Sequence, residues 1–133
     1  MKLFAKKEIF KVKSVPLDPG KNSNPQNAAE YHQRGIAFYA RKQYAEAAAD
    51  YRQAISLDGN MVDAYYGLGM ALKAAGRTDE AINAFRKAED LLAPQAGTGK
   101  VNVDMLRRLT LGHINMLTQG DWNLEKEIWK HTA

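Results

Sequence analysis

Three histidines, His32, His113 and His131, are the side chains best suited to proton transfer or metal binding at neutral pH. None has a second histidine at the i, i+4 spacing that puts two ligands on one helical face. His32 and His113 are the only two that the later repeat argument brings toward a common face. Gly97-Thr98-Gly99-Lys100 looks like part of a phosphate-binding loop. The full loop needs two glycines with four residues between them and Ser or Thr after the lysine, and Val101 stands at that last position. A connecting loop is the simpler reading. The carboxylate pairs Asp79-Glu80 and Glu89-Asp90 fall where helix surfaces are expected, as solvated charges or first-turn partners of the helix dipole. With no cysteine, disulfides and thiolate chemistry are excluded. No nucleophile–base pair is visible, so the chain is expected not to be an enzyme and to hold no cofactor or metal.

What must position these residues is a repeat. Displacing the sequence by 34 residues lays positions 28–61 on 62–95. Tyr31 then meets Tyr65, Gly35 meets Gly69, and Ala37 and Ala40 meet Ala71 and Ala74. Glu46-Ala47 meets Glu80-Ala81, and Arg52, Ala54 and Leu57 meet Arg86, Ala88 and Leu91. Ordinary composition would produce roughly two or three such identities; here there are nine. Tyr31, Gly35 and Phe38 lie one helical turn apart, as do Ala47, Tyr51 and Ala54, so each unit reads as two antiparallel amphipathic helices. Gly35 and Gly69, with Ala47 and Ala81, are expected to let paired helices approach closely. Tyr51 and Phe85 then fill the space between one pair and the next.

Tyr65, Leu68-Gly69, Leu72, Ala81, Phe85, Ala88 and Pro94, with Tyr31, Arg34-Gly35, Phe38, Ala47, Tyr51 and Ala54 before them, resemble the tetratricopeptide repeat family. Arg34 and Gly59 depart from its pattern, which has Leu and Pro there. The resemblance implies an all-α, right-handed superhelix of about three antiparallel helix pairs. It also implies a protein-binding role, with the first helix of each pair lining a concave groove. The groove residues are then Ala29, His32, Ile36 and Tyr39 in repeat one, and Asp63, Tyr66, Met70 and Lys73 in repeat two. His113 and Met116 follow in the third helix. Some family members grip acidic tails of heat-shock chaperones with basic and polar groups; His32, Ile36 and Gly67 occupy those places here, against that specificity.

The remaining chain divides by composition. Residues 1–27 form a basic arm, with six lysines against Glu8 and Asp18, and they carry the whole net charge of +4. Residues 28–133 are neutral and form the repeat domain, with repeats at 28–61 and 62–95 and a degenerate pair at 101–131. A neutral body argues against a nucleic-acid partner. Asn24-Pro25 is expected to open the first helix, and residues 8–15 alternate weakly like a short strand. Val101, Met105, Leu109, Met116 and their neighbours make the helix over 101–118 apolar nearly all round, so two covers are expected. One is the second repeat, and the other a final helix with Trp122, Ile128 and Trp129.

The function expected is a peptide- or helix-binding adaptor with a protein partner. Self-association through the arm or Trp129 is the alternative. Membrane-surface contact is a further one, through Lys2, Lys6, Lys7, Lys11 and Lys13 beside Leu3, Phe4, Ile9 and Phe10. The charged opening MKLFAKKEIF lacks a signal-peptide core, and a cytoplasmic location is expected.

Overall fold

The computed structural model describes residues 24–122, and over them the chain is all helical. The helices are α1 (Ala28–Ala40), α2 (Tyr44–Leu57), α3 (Val62–Ala74), α4 (Thr78–Leu92) and α5 (Val101–Gln119), with a 3-10 turn at Ala93–Gln95 before α5. α1 packs on α2 and α3 on α4, and α2 then packs on α3 and α4 on α5. This is the helical-repeat superhelix the 34-residue period implies. The weak strand at 8–15, the final helix and Trp129 fall outside the described residues, as do residues 1–23 of the arm.

The start of α1 differs from expectation. Asn27, not Asn24-Pro25, caps the helix: its side-chain oxygen accepts from the Glu30 amide at 2.9 Å. Glu30 in turn reaches back to accept from the Gln26 amide at 2.8 Å. Two amides without helical partners, those of Glu30 and Gln26, are thereby satisfied by the Asn27 and Glu30 side chains. The turn between the helices of each pair is built identically. The amides of Gln43 and Arg77 donate to the carbonyls of Phe38 and Leu72, both at 2.9 Å. Each turn needs one residue of positive φ; repeat two uses Gly76, repeat one Lys42.

Packing centres on rings laid against glycines. A Cβ on Gly69 would stand 2.6 Å from the Phe85 ring, and one on Gly35 would stand 2.9 Å from the Tyr51 ring. The glycines therefore let the partner helix approach closely by making room for its aromatic side chain. Tyr51 also meets Gly67 of the next pair, so one ring joins α1, α2 and α3. Ala47, Ala71, Ala81 and Phe85 around these contacts are fully buried. The third such ring comes from outside a helix, where Trp122 lies on Gly112 of α5.

Arg34 replaces the usual leucine with an ion pair. Its Nε and Nη2 donate to the two Asp50 oxygens at 2.7 and 2.9 Å, and Asp50 is buried. One period later the same two positions hold Leu68 and Ala84, both buried and apolar. Glu89 corrects another expectation. It is not a solvated surface charge but pairs with Arg107 across the α4–α5 interface at 2.7 Å. The apolar circumference of α5 is covered in part. Leu111 is buried, and Ile114 and Leu117 pack against the core. Val101 is 69% exposed and Met105 59%, so the second cover over this end is not provided by residues 24–122.

Two outcomes test this packing. Gly69→Leu should cost about 1–3 kcal/mol or more through overpacking against Phe85, and a melting temperature within a degree of the parent would contradict it. Arg34→Leu alone leaves the Asp50 carboxylate buried without its partner and should cost about 3–5 kcal/mol. Arg34→Leu with Asp50→Ala, which reproduces the second repeat, should recover most of that loss in urea titration.

Candidate functional site: the groove of the first helices

The first helix of each pair turns one face to a common groove. On α1 the face is His32, Ile36 and Tyr39; on α3 it is Asp63, Tyr66, Gly67 and Met70. These spacings of three and four residues keep the side chains in register along parallel helices. With Tyr51 they line a cavity of about 340 Å³. Its floor is the Tyr51 ring seen past Gly67, which has no side chain to cover it. A Cβ there would come within 2.6 Å of that ring. His32 tilts against the Tyr51 ring at 5.6 Å between centroids, and Tyr39 meets Tyr44 edge-on at 5.3 Å. Ile36 is 45% exposed, while Tyr39, Tyr66 and Met70 are half-buried. The cavity is therefore apolar and aromatic, with the Asp63 carboxylate at one end.

Burial governs the titration of its polar groups. His32 is pushed below the ordinary histidine value by burial, against the opposing pull of Asp63. The Tyr51 hydroxyl is pushed up to about 12, first by burial and then by Tyr39 and Asp50. Both groups are therefore neutral near pH 7.

Four of the residues read from the sequence, Ala29, Lys73, His113 and Met116, stand apart from this cavity. Met116 is exposed on α5. Lys73 and His113 are engaged with each other, with the Lys73 ammonium 3.1 Å from His113 Nδ1. An ammonium can only donate, so Nδ1 is the acceptor and the imidazole proton sits on Nε2. Nε2–H then donates to the Tyr66 hydroxyl oxygen at 3.2 Å. His113 is also stacked on Phe85 at 5.0 Å and met edge-on by Trp122 at 5.0 Å. It is buried as a junction of α3, α4 and α5, and not displayed on an open wall. Its pKa is lowered to about 4, first by burial and then by Lys73. Trp122 was missed as a member of this junction; the Leu111-Gly112 pair was the signal, since each preceding glycine of that kind takes a ring.

His32 and His113 do not converge on a common site. Among the described residues no group of three or more His, Asp or Glu side chains is placed to hold a metal ion. In the loop before α5, Gly97 and Gly99 both adopt positive φ, and Thr98 Oγ1 donates to the Gln95 carbonyl at 2.8 Å. Those glycines serve consecutive turns, which accounts for their spacing without a phosphate.

Stacked helix pairs with ring-on-glycine contacts and a groove along their first helices define a helical-repeat scaffold. Residues 35–76 match the family model described as TPR repeat, and residues 62–92 match that of the tetratricopeptide repeat. Over 67 residues the chain is 37% identical to the small glutamine-rich tetratricopeptide repeat-containing protein 2 of Saccharomyces cerevisiae. That match takes in 50% of this chain and 19% of the yeast protein, so the chain spans about a fifth of that relative's length. Residues 35–92 thus match repeats of the tetratricopeptide type.

Protonating His113 would remove the acceptor of Lys73 and set two cations side by side. The unfolded chain takes up this proton near pH 6.5 and the folded one near 4, so stability is full above 6.5 and falls as pH drops through that window. A loss on the order of 1–2 kcal/mol between pH 7.5 and 5 is expected. Urea midpoints of the parent and of His113→Gln, measured at both pH values, check it. The variant should lose less on acidification.

Proposed function

We propose that the chain is a protein-interaction module whose first-helix groove receives a peptide or helix of a protein partner. The contact residues are His32, Ile36, Tyr39, Asp63, Tyr66 and Met70. The observation that carries this reading is the shared cavity. Eight residues from two repeats line it, and they are apolar or aromatic save for Asp63 and His32. Exposed aromatic and thioether side chains give large contact area at low entropy cost and adapt to varied partners. The match to repeats of the tetratricopeptide type, and the similarity to a yeast repeat-containing protein, support a protein as the partner class.

The test is capture of partners from a cell extract on the full chain, with quantification by mass spectrometry. Ile36→Glu places a charge on the apolar wall and should lower the captured amount of a true groove partner at least tenfold. Arg86→Glu, on the exposed side of α4, should leave it unchanged. Loss with Arg86→Glu and retention with Ile36→Glu would move the binding surface away from the groove.

A further inference from the structure

One carboxylate stands at the end of the groove. Asp63 stands in the first turn of α3, exposed at one end of the cavity. Among the described residues it forms no ion pair with Lys or Arg. Lys73, farther along the same helix, is turned to His113, and His32 beside Asp63 is held toward its neutral form by burial. The carboxylate is thus the open charge of the cavity. Next to it lies a depression between Ile36, Tyr66 and Met70, kept deep because the Tyr51 ring leaves no space for a side chain at Gly67. At about 340 Å³ the cavity is at the small end of ligand pockets, suited to one large side chain and its neighbours. Asp63 lies four residues before Gly67 and seven before Met70 on α3, or about 6–10 Å along the helix. Two to three residues of an extended peptide cover that distance.

Taking the groove as the binding surface, we propose that it selects a partner peptide carrying one large apolar or aromatic side chain with Lys or Arg two to three residues away. The apolar group enters between Ile36, Tyr66 and Met70, and the cation meets Asp63. This is the reverse of the charge sense by which basic grooves of the family hold acidic tails. An exposed carboxylate contributes modestly to affinity and strongly to the choice between cationic and anionic sequences, and it does so most at low salt.

The test uses the full chain with 13C-methyl methionine, whose five methionines include Met70 in the groove and Met105 on α5. Three blocked peptides are titrated: Ala-Lys-Ala-Phe-Ala-Lys-Ala, Ala-Glu-Ala-Phe-Ala-Glu-Ala and Ala-Lys-Ala-Ala-Ala-Lys-Ala. The symmetric peptides make chain direction immaterial. The first should shift the Met70 methyl and spare Met105. The Glu peptide should bind about five- to tenfold more weakly at low ionic strength, and the peptide without Phe at least tenfold more weakly. Asp63→Asn should make the Lys and Glu peptides equal, and Asp63→Lys should reverse their order; a melting curve verifies the fold of both. Equal binding of the two Phe peptides at Met70 overturns the charge preference and leaves the groove reading standing. A Met70 signal unmoved by all three at millimolar concentration overturns the peptide class, while the extract experiment decides the groove itself.

Discussion

Everything in this fold is spaced by the contact of an aromatic ring with a glycine that cannot carry a side chain. Tyr51 lies on Gly35 of its own pair and on Gly67 of the next, and Phe85 lies on Gly69. A ring is flat and thick, so it sets the distance between helices more rigidly than a branched aliphatic would. Small alanines around it, Ala47 and Ala81 among them, close the remaining space. Because the rings recur at 34 residues, the interhelical distance recurs with them, and identical turns at Gln43 and Arg77 follow. The groove is a by-product, since first helices held at fixed separation leave a channel between their outer faces.

Among the described residues, the less exposed charged pairs stand where a helix pair or an interface gains a second fastening. Repeat one uses the Arg34–Asp50 pair where repeat two uses Leu68 and Ala84. The α4–α5 interface uses Glu89 and Arg107, and the α3–α5 junction uses Lys73 and His113. Interchangeable geometry thus hides different physics. The second pair is joined by apolar contact alone at the position where the first relies on a buried ion pair, whose net value is smaller than its Coulombic attraction.

The repeat was legible because its period is carried by residue types that have one use each: glycine for space, aromatic for filling, alanine for closeness. The all-helical fold, the helix pairs and the groove faces on α1 and α3 follow from that pattern. The cap of α1 was displaced because Asn24-Pro25 and Asn27 are both acceptable starts, and the bonds made with Glu30 decide between them. Glu89 and Asp50 were opaque because the sequence shows a carboxylate but not the arginine that folding brings to it from 18 or 16 residues away. His113 was legible as a first-helix residue but not as a buried one. Its burial depends on Trp122, which comes from a connection and breaks the period the earlier rings keep.

Tyr51 has two roles at once. It is only 3% exposed, yet it forms the bottom of the groove. A substitution there alters the spacing of α1 and α3 together with the surface a ligand meets. Ile36, exposed on the wall, can vary with less effect on that spacing. Divergence among proteins built this way should therefore be unequal. Specificity drifts through the walls while the floor stays constant, and a duplicated gene can acquire a new partner without passing through an unfolded ancestor.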